Sequence, residues 1–133
     1  MEILKNILIV DDEPDILEIL SYNLSREHYN VFHACDGKQC ITLAKKFLPD
    51  LIVMDVRMPE MTGIEACAFL KSDETLKNIP VLFLTADTDK NTAIKAMNAG
   101  GSQYVNKPIR ISILTAIIKD MLSEKTNSVK DEE

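Results

Sequence analysis

The chain has 133 residues, with 15 Lys+Arg against 21 Asp+Glu for a formal net charge of −6, and it is 46% hydrophobic and 27% charged. This length fits one domain that buries enough surface to fold without a disulfide or structural metal. The balance excludes wholesale disorder and a nucleic-acid-coating role, and no apolar run approaches the ~20 residues of a membrane span.

The opening Met1-Glu2-Ile3-Leu4-Lys5-Asn6 lacks the basic start, apolar centre and small-residue cleavage site of a signal peptide. Cys35, Cys40 and Cys67 are odd in number and form no CxxC, so buried or half-buried thiols in a reducing cytoplasm are expected. Ile7–Val10 is the first β-branched run. Ile16, Ile19, Leu20 and Leu24 then follow at helical spacing, with Pro14 suited to the first turn. Val31-Phe32 with Ala34 is a second, weaker run, followed by the stripe Ile41, Ala44 and Leu48 and the stop Pro49. Leu51–Met54 precedes a third helix marked by Ile64, Ala68 and Phe69 after Gly63. Val81–Leu84 precedes a fourth, marked by Ala93, Ile94 and Met97 and ended by Gly100-Gly101 as a left-handed cap. Gln103-Tyr104-Val105 leads to a fifth stripe, Ile111, Leu114, Ile118, Met121 and Leu122, widened by Ile113 and Ile117. The strand-like runs are continuous rather than alternating, as in a parallel sheet covered on both faces.

Five such units predict an α/β, doubly wound (βα)5 sandwich: a flavodoxin-like parallel sheet of order 2-1-3-4-5. Residues 1–122 form the expected domain. Residues 123–133 carry four acids, two lysines and no apolar periodicity, and are expected to be a polar disordered tail or linker.

Ligands of such a sheet bind at the C-terminal strand edge. Asp11 and Asp12 follow the first run, Asp55 the third and Thr85 the fourth, and Lys107 comes two residues after the fifth. Three carboxylates, a hydroxyl and an ammonium therefore converge. Close carboxylates repel unless a cation is present, and a few hard oxygens suit Mg²⁺ completed by a phosphate. A carboxylate can attack phosphorus, so the set reads as Mg²⁺-assisted phosphoryl transfer onto one Asp. Each residue alone has a plainer explanation: Asp11-Asp12-Glu13 as helix-capping acids, Asp55 as a turn acid, Thr85 as a cap, Lys107 as a solvated lysine. None of these explains why all fall at equivalent strand ends. His28, in a loop, and His33, in the second strand, have no partner motif.

The stretches ILIVDDEPD (Ile7–Asp15), PDLIVMDVRMPEMTG (Pro49–Gly63), LFLTA (Leu82–Ala86) and AGGSQYVNKPI (Ala99–Ile109) together resemble the receiver domain of bacterial two-component response regulators. The resemblance runs from about Lys5 to Leu122. It implies that Asp55 is the phosphoacceptor and that Asp12 and Asp55 hold Mg²⁺. Asp11 would reach the ion through water, and the Arg57 backbone carbonyl would add a ligand. It further implies that Thr85 turns to the phosphoryl oxygens, that Lys107 pairs with them beside a cis Lys107–Pro108 bond, and that Tyr104 swings inward as Thr85 moves. Arg57 and Asp87, each two residues beyond a site residue, stand where receivers tune the rate of phosphoryl loss, and their opposite charges are expected to flank the mouth.

The resemblance also implies a cytoplasmic switch that takes its phosphoryl group from a histidine kinase or histidine phosphotransfer protein. It would signal through the fourth helix, fifth strand and fifth helix, to an output partner or a phosphorylation-dependent homodimer. Such a protein catalyses its own phosphorylation and dephosphorylation and acts on no external substrate. The first half is similar to receivers of winged-helix transcription regulators. Where those carry two acids before the switch aromatic, this chain has Ser102-Gln103. It contains no DNA-binding or membrane segment of its own, and is expected to be a stand-alone receiver or the receiver part of a longer regulator. The other class on this topology, a flavodoxin-type flavin carrier, would need a Ser/Thr/Gly-rich phosphate loop where Asp11-Asp12-Glu13 stands.

Overall fold

A computed structural model of the chain describes residues 3–131. It contains β1 (Asn6–Val10), α1 (Pro14–Arg26), β2 (Asn30–Ala34), α2 (Gly37–Phe47), β3 (Leu51–Met54), α3 (Gly63–Ser72), β4 (Val81–Thr85), α4 (Lys90–Asn98), β5 (Gln103–Asn106) and α5 (Ile111–Asp131). The strands pair in parallel in the order β2-β1-β3-β4-β5, which is the predicted order.

The continuous apolar strands are explained by two cores. Leu8, Val10, Ile52, Met54, Val81 and Phe83 face α2, α3 and α4, while Ile7, Ile9, Leu51, Val53, Leu82 and Leu84 face α1 and α5. Successive side chains point to opposite faces, and each face meets a helix layer. Helix α1 starts with Pro14 in its first turn. Helix α3 starts with a reciprocal capping box between Thr62 and Glu65. Helix α4 ends with Gly100 at φ 113°; Gly100 N–H bonds to Met97 O and Gly101 N–H to Ala96 O, which completes a Schellman cap.

The helix faces differ from the stripes read in the sequence. In α1 the buried set is Leu17, Leu20 and Leu24, and Ile19 is half exposed. In α2, Cys40 joins Ile41 and Ala44, while Leu48 caps the helix in the left-handed region at φ 46° and is exposed. In α3 the core takes Ala66, Cys67 and Leu70 and leaves Ala68 and Phe69 exposed. In α4 it takes only Ala96, so Ile94 and Met97 face outward. Leu114, Ile118, Met121 and Leu122 of α5 are buried as predicted; Ile117 packs at the edge of that core and Ile113 is half exposed. Cys40 and Cys67 are buried, but Cys35, at the end of the edge strand β2, is exposed rather than covered. Burial pushes the Cys40 thiol up to about 12, so it stays protonated and unreactive at neutral pH.

Helix α5 runs past Leu122 to Asp131, into the stretch expected to be a polar disordered tail or linker. No Gly or Pro follows Pro108 to break it. The last two residues of that stretch, 132 and 133, lie outside the described residues.

Candidate functional site at the carboxyl edge of the sheet

Three strands end on acids or hydroxyls because the buried run stops where the pocket begins. Asp11 follows β1, Asp55 follows β3 and Thr85 closes β4; all three are buried, at 2%, 6% and 0% exposure. β1, β3 and β4 are adjacent in the sheet, so these side chains share one edge. Strand β5 runs one residue further than the sequence pattern indicated, to Asn106, and delivers Lys107 directly.

Lys107 lies between the two buried carboxylates. Its ammonium is 2.7 Å from Asp11 Oδ2 and 3.3 Å from Asp55 Oδ2. Burial pulls the lysine toward neutrality, but its hydrogen bond to Asp11 and the charges of Asp55 and Asp11 outweigh it, so Lys107 stays above the ordinary lysine value. The Lys107–Pro108 peptide is cis.

Asp11 accepts the Glu13 N–H at 2.9 Å, and Asp55 Oδ1 accepts the Arg57 N–H at 3.3 Å. Glu13 is the N-cap residue of α1 but makes no side-chain cap bond. The acids after β1 are thus turned to the pocket rather than spent on capping α1. One oxygen each of Asp11, Asp12, Glu13 and Asp55 lies within 4.8 Å of the others. Only hard carboxylate oxygens are offered, which fits Mg²⁺ rather than a softer metal. Glu13 joins this cluster although the strand-end pattern singles out only Asp11, Asp12 and Asp55; its place next to Asp12 is the available signal.

A shallow pocket of about 360 Å³ opens above these groups, lined by Asp12, Glu13, Asp55, Arg57, Thr85, Ala86 and Asp87. Arg57 and Asp87 meet across its mouth: Arg57 Nε donates to Asp87 Oδ2 at 2.8 Å and Nη2 lies 2.6 Å from the same oxygen. The Asp89 backbone N–H, and next the Arg57 guanidinium, hold the Asp87 carboxyl below the ordinary carboxylate range. Thr85 Oγ1 accepts the Asp87 N–H at 3.3 Å. Tyr104 is half-buried with its ring tilted against Phe83, and its hydroxyl donates to the Asp87 carbonyl at 2.9 Å. The same carbonyl accepts the Asn106 side chain at 2.7 Å, a contact the sequence reading missed. His28, in the α1–β2 turn, and His33, in β2, do not line this pocket.

Among the described residues, no helix is long and apolar enough to cross a membrane. The chain is 37% identical over 118 residues to the alkaline phosphatase synthesis transcriptional regulatory protein PhoP of Bacillus subtilis, which covers 89% of the chain and 48% of that protein. It is 40% identical over 119 residues to the hybrid signal transduction histidine kinase D of Dictyostelium discoideum, covering 90% of the chain and 8% of the kinase. The chain thus spans half or less of these relatives. A CheY-like response regulator receiver domain protein from Methanospirillum hungatei superposes with a TM-score of 0.90 at 26% identity, covering 95% of the chain and 99% of the other. The family model for the response regulator receiver domain matches residues 7–119. With these matches over nearly the whole folded unit and an acid cluster at its carboxyl edge, the chain belongs to the response regulator receiver domain family.

Proposed function

We propose that Asp55 accepts a phosphoryl group from a phosphohistidine on a histidine kinase or histidine phosphotransfer protein. The observation that carries this reading is the placement of Lys107 within reach of both Asp11 and Asp55 at the strand edge. An Asp55 carboxylate oxygen attacks phosphorus as the P–N bond breaks, and the departing imidazole nitrogen takes a proton. Lys107 holds the anionic oxygens, and the Thr85 hydroxyl, at the pocket floor, turns to them once Asp87 N–H releases it. Asp11, Asp12 and Asp55, with the Arg57 carbonyl, would hold Mg²⁺, which neutralises the transferring phosphoryl group when bound. Glu13 adds a fourth acid at the rim. Asp11-Asp12-Glu13 at this place disfavours a flavodoxin-type phosphate loop. Through Asp55 the chain catalyses its own phosphorylation and dephosphorylation, in the cytoplasm, and acts on no external substrate.

Residues 1–122 form the receiver unit in this reading, and residues 123–133 lead from it. The output face is α4, β5 and α5, engaging an output partner or a second phosphorylated copy. The similarity to PhoP supports a second possibility, that the unit serves a longer DNA-binding regulator. Incubation with acetyl phosphate tests the reaction: labelling appears with Mg²⁺ and disappears with EDTA. Labelling undiminished by EDTA contradicts it.

A further inference from the structure

Tyr104 and Asn106 are two residues apart on β5 and therefore project from the same face of the strand. Both reach one acceptor. The Asp87 carbonyl takes the Tyr104 hydroxyl at 2.9 Å and the Asn106 side-chain nitrogen at 2.7 Å. Asn106 also approaches the Thr85 carbonyl at 3.4 Å, which already accepts the Lys107 N–H at 2.7 Å. Both partners of Asn106 are carbonyl oxygens, so its NH2 and not its oxygen faces them. Thr85 and Asn106 are paired in register across β4 and β5. Asn106 thus fastens the start of the β4–α4 loop to the strand that carries Tyr104 and Lys107.

The two donors to Asp87 are not equivalent. Asn106 is short and sits at the strand end beside Lys107. Tyr104 reaches the carbonyl with the tip of a long, half-buried ring. A carbonyl with two acceptor sites loses little when one of two donors departs, and far more when its only donor departs. We propose that Asn106 is a positioning residue for the Tyr104 switch, keeping the Asp87 carbonyl bonded so that the Tyr104 hydroxyl can leave it. This rests on the receiver reading above.

The consequence is opposite to that of a simple brace. Without Asn106, Tyr104 becomes the sole side-chain donor to this carbonyl among the described residues, and its release leaves the carbonyl to solvent alone. An Asn106→Val variant therefore holds Tyr104 in its resting place. The cost is of the order of one hydrogen bond, so the variant requires about tenfold more of a phosphoryl mimic to move Tyr104. Removing the Tyr104 hydroxyl as well cancels this effect.

The test uses the whole chain labelled with 3-fluorotyrosine. The Tyr104 resonance is assigned against Tyr22 and Tyr29 by Tyr→Phe substitution and followed while beryllofluoride is titrated with Mg²⁺. In the wild type the resonance moves. In Asn106→Val it starts at the wild-type position, which shows the fold is kept, and moves only at about tenfold higher beryllofluoride. Beryllofluoride affinity is also measured for Tyr104→Phe alone and with Asn106→Val. The double variant binding as tightly as Tyr104→Phe supports the proposal. Equal titrations for wild type and Asn106→Val overturn it, as does a starting resonance displaced in Asn106→Val. The same loss of affinity in the Tyr104→Phe background also overturns it, because a generally disturbed loop gives that result. A wild-type resonance that never moves overturns the switch reading itself, and with it the role of Asn106.

Discussion

Arg57 and Asp87 pair at the rim of the pocket through two contacts to one carboxylate oxygen, Nε at 2.8 Å and Nη2 at 2.6 Å. Arg57 is itself largely exposed, so the pair is a poor source of stability. Its position matters more, because both side chains line the pocket that holds Asp55. Arg57→Ala and Asp87→Ala are each expected to change the rate of phosphoryl loss severalfold, and the double variant to show no more than the larger single effect. Decay of the acetyl-phosphate-labelled protein measures this; additive effects contradict a shared gate. Since Asp87 lies below the ordinary carboxylate range, the pair persists at neutral pH. It is lost only as pH falls through that lowered value.

Lys107 separates two buried acids, so its removal leaves Asp11 and Asp55 facing each other. Lys107→Met is expected to cost about 2 kcal/mol in EDTA, and Mg²⁺ is expected to restore more stability to the variant than to the wild type. Urea unfolding with and without Mg²⁺ checks both; equal increments contradict the shared site. The folded pKa of Lys107 is raised. Its stabilisation is therefore fully present below about pH 10.4, the unfolded value, and is lost as pH rises through the folded value.

Gly63 fixes the path of the Asp55 backbone. A Cβ at Gly63 would stand 2.1 Å from the Asp55 carbonyl oxygen and 3.0 Å from its carbon, while the Gly63 N–H bonds to Val56 O at 2.8 Å. Gly63→Ala is expected to destabilise by about 3 kcal/mol and to lower Tm by roughly 10 °C. At Gly37 the atoms nearest an added Cβ all belong to the Met61 side chain, at 2.9 to 3.0 Å, and none is backbone. Gly37→Ala should therefore be milder. A reversed order in thermal melts contradicts the argument.

Ile113 is half exposed on α5, and Ile94 and Met97 are exposed on α4. The separate cores beneath α4 and α5 leave them outside, which suits a phosphorylation-dependent contact. Ile113→Glu should leave stability within about 0.5 kcal/mol of wild type while weakening beryllofluoride-driven association, read by light scattering. Association unchanged by the substitution contradicts an output role for this residue.

Strands and their order were legible because burial on both faces forces continuous apolar runs. Ile7–Val10 and Val81–Leu84 admit little else. The helix faces were less legible. In α3 the run Ala66-Cys67-Ala68-Phe69-Leu70 is apolar throughout, so its period does not say that Ala66, Cys67 and Leu70 turn inward. In α4 the sheet edge needs only Ala96, leaving Ile94 and Met97 outside. At the edge of the sheet, Asp11, Asp55, Thr85 and Lys107 could be placed together because strand ends converge. The contact of Asn106 with Asp87 could not, because it depends on the path of the β4–α4 loop.

The most direct test is to locate the phosphoryl group. The chain is incubated with acetyl phosphate and Mg²⁺, trapped by borohydride reduction and mapped by peptide mass spectrometry, beside Asp55→Asn. The account predicts a single modified peptide, changed at Asp55, and no labelling of the variant. Labelling at another residue in the wild type, or undiminished labelling of Asp55→Asn, would contradict it.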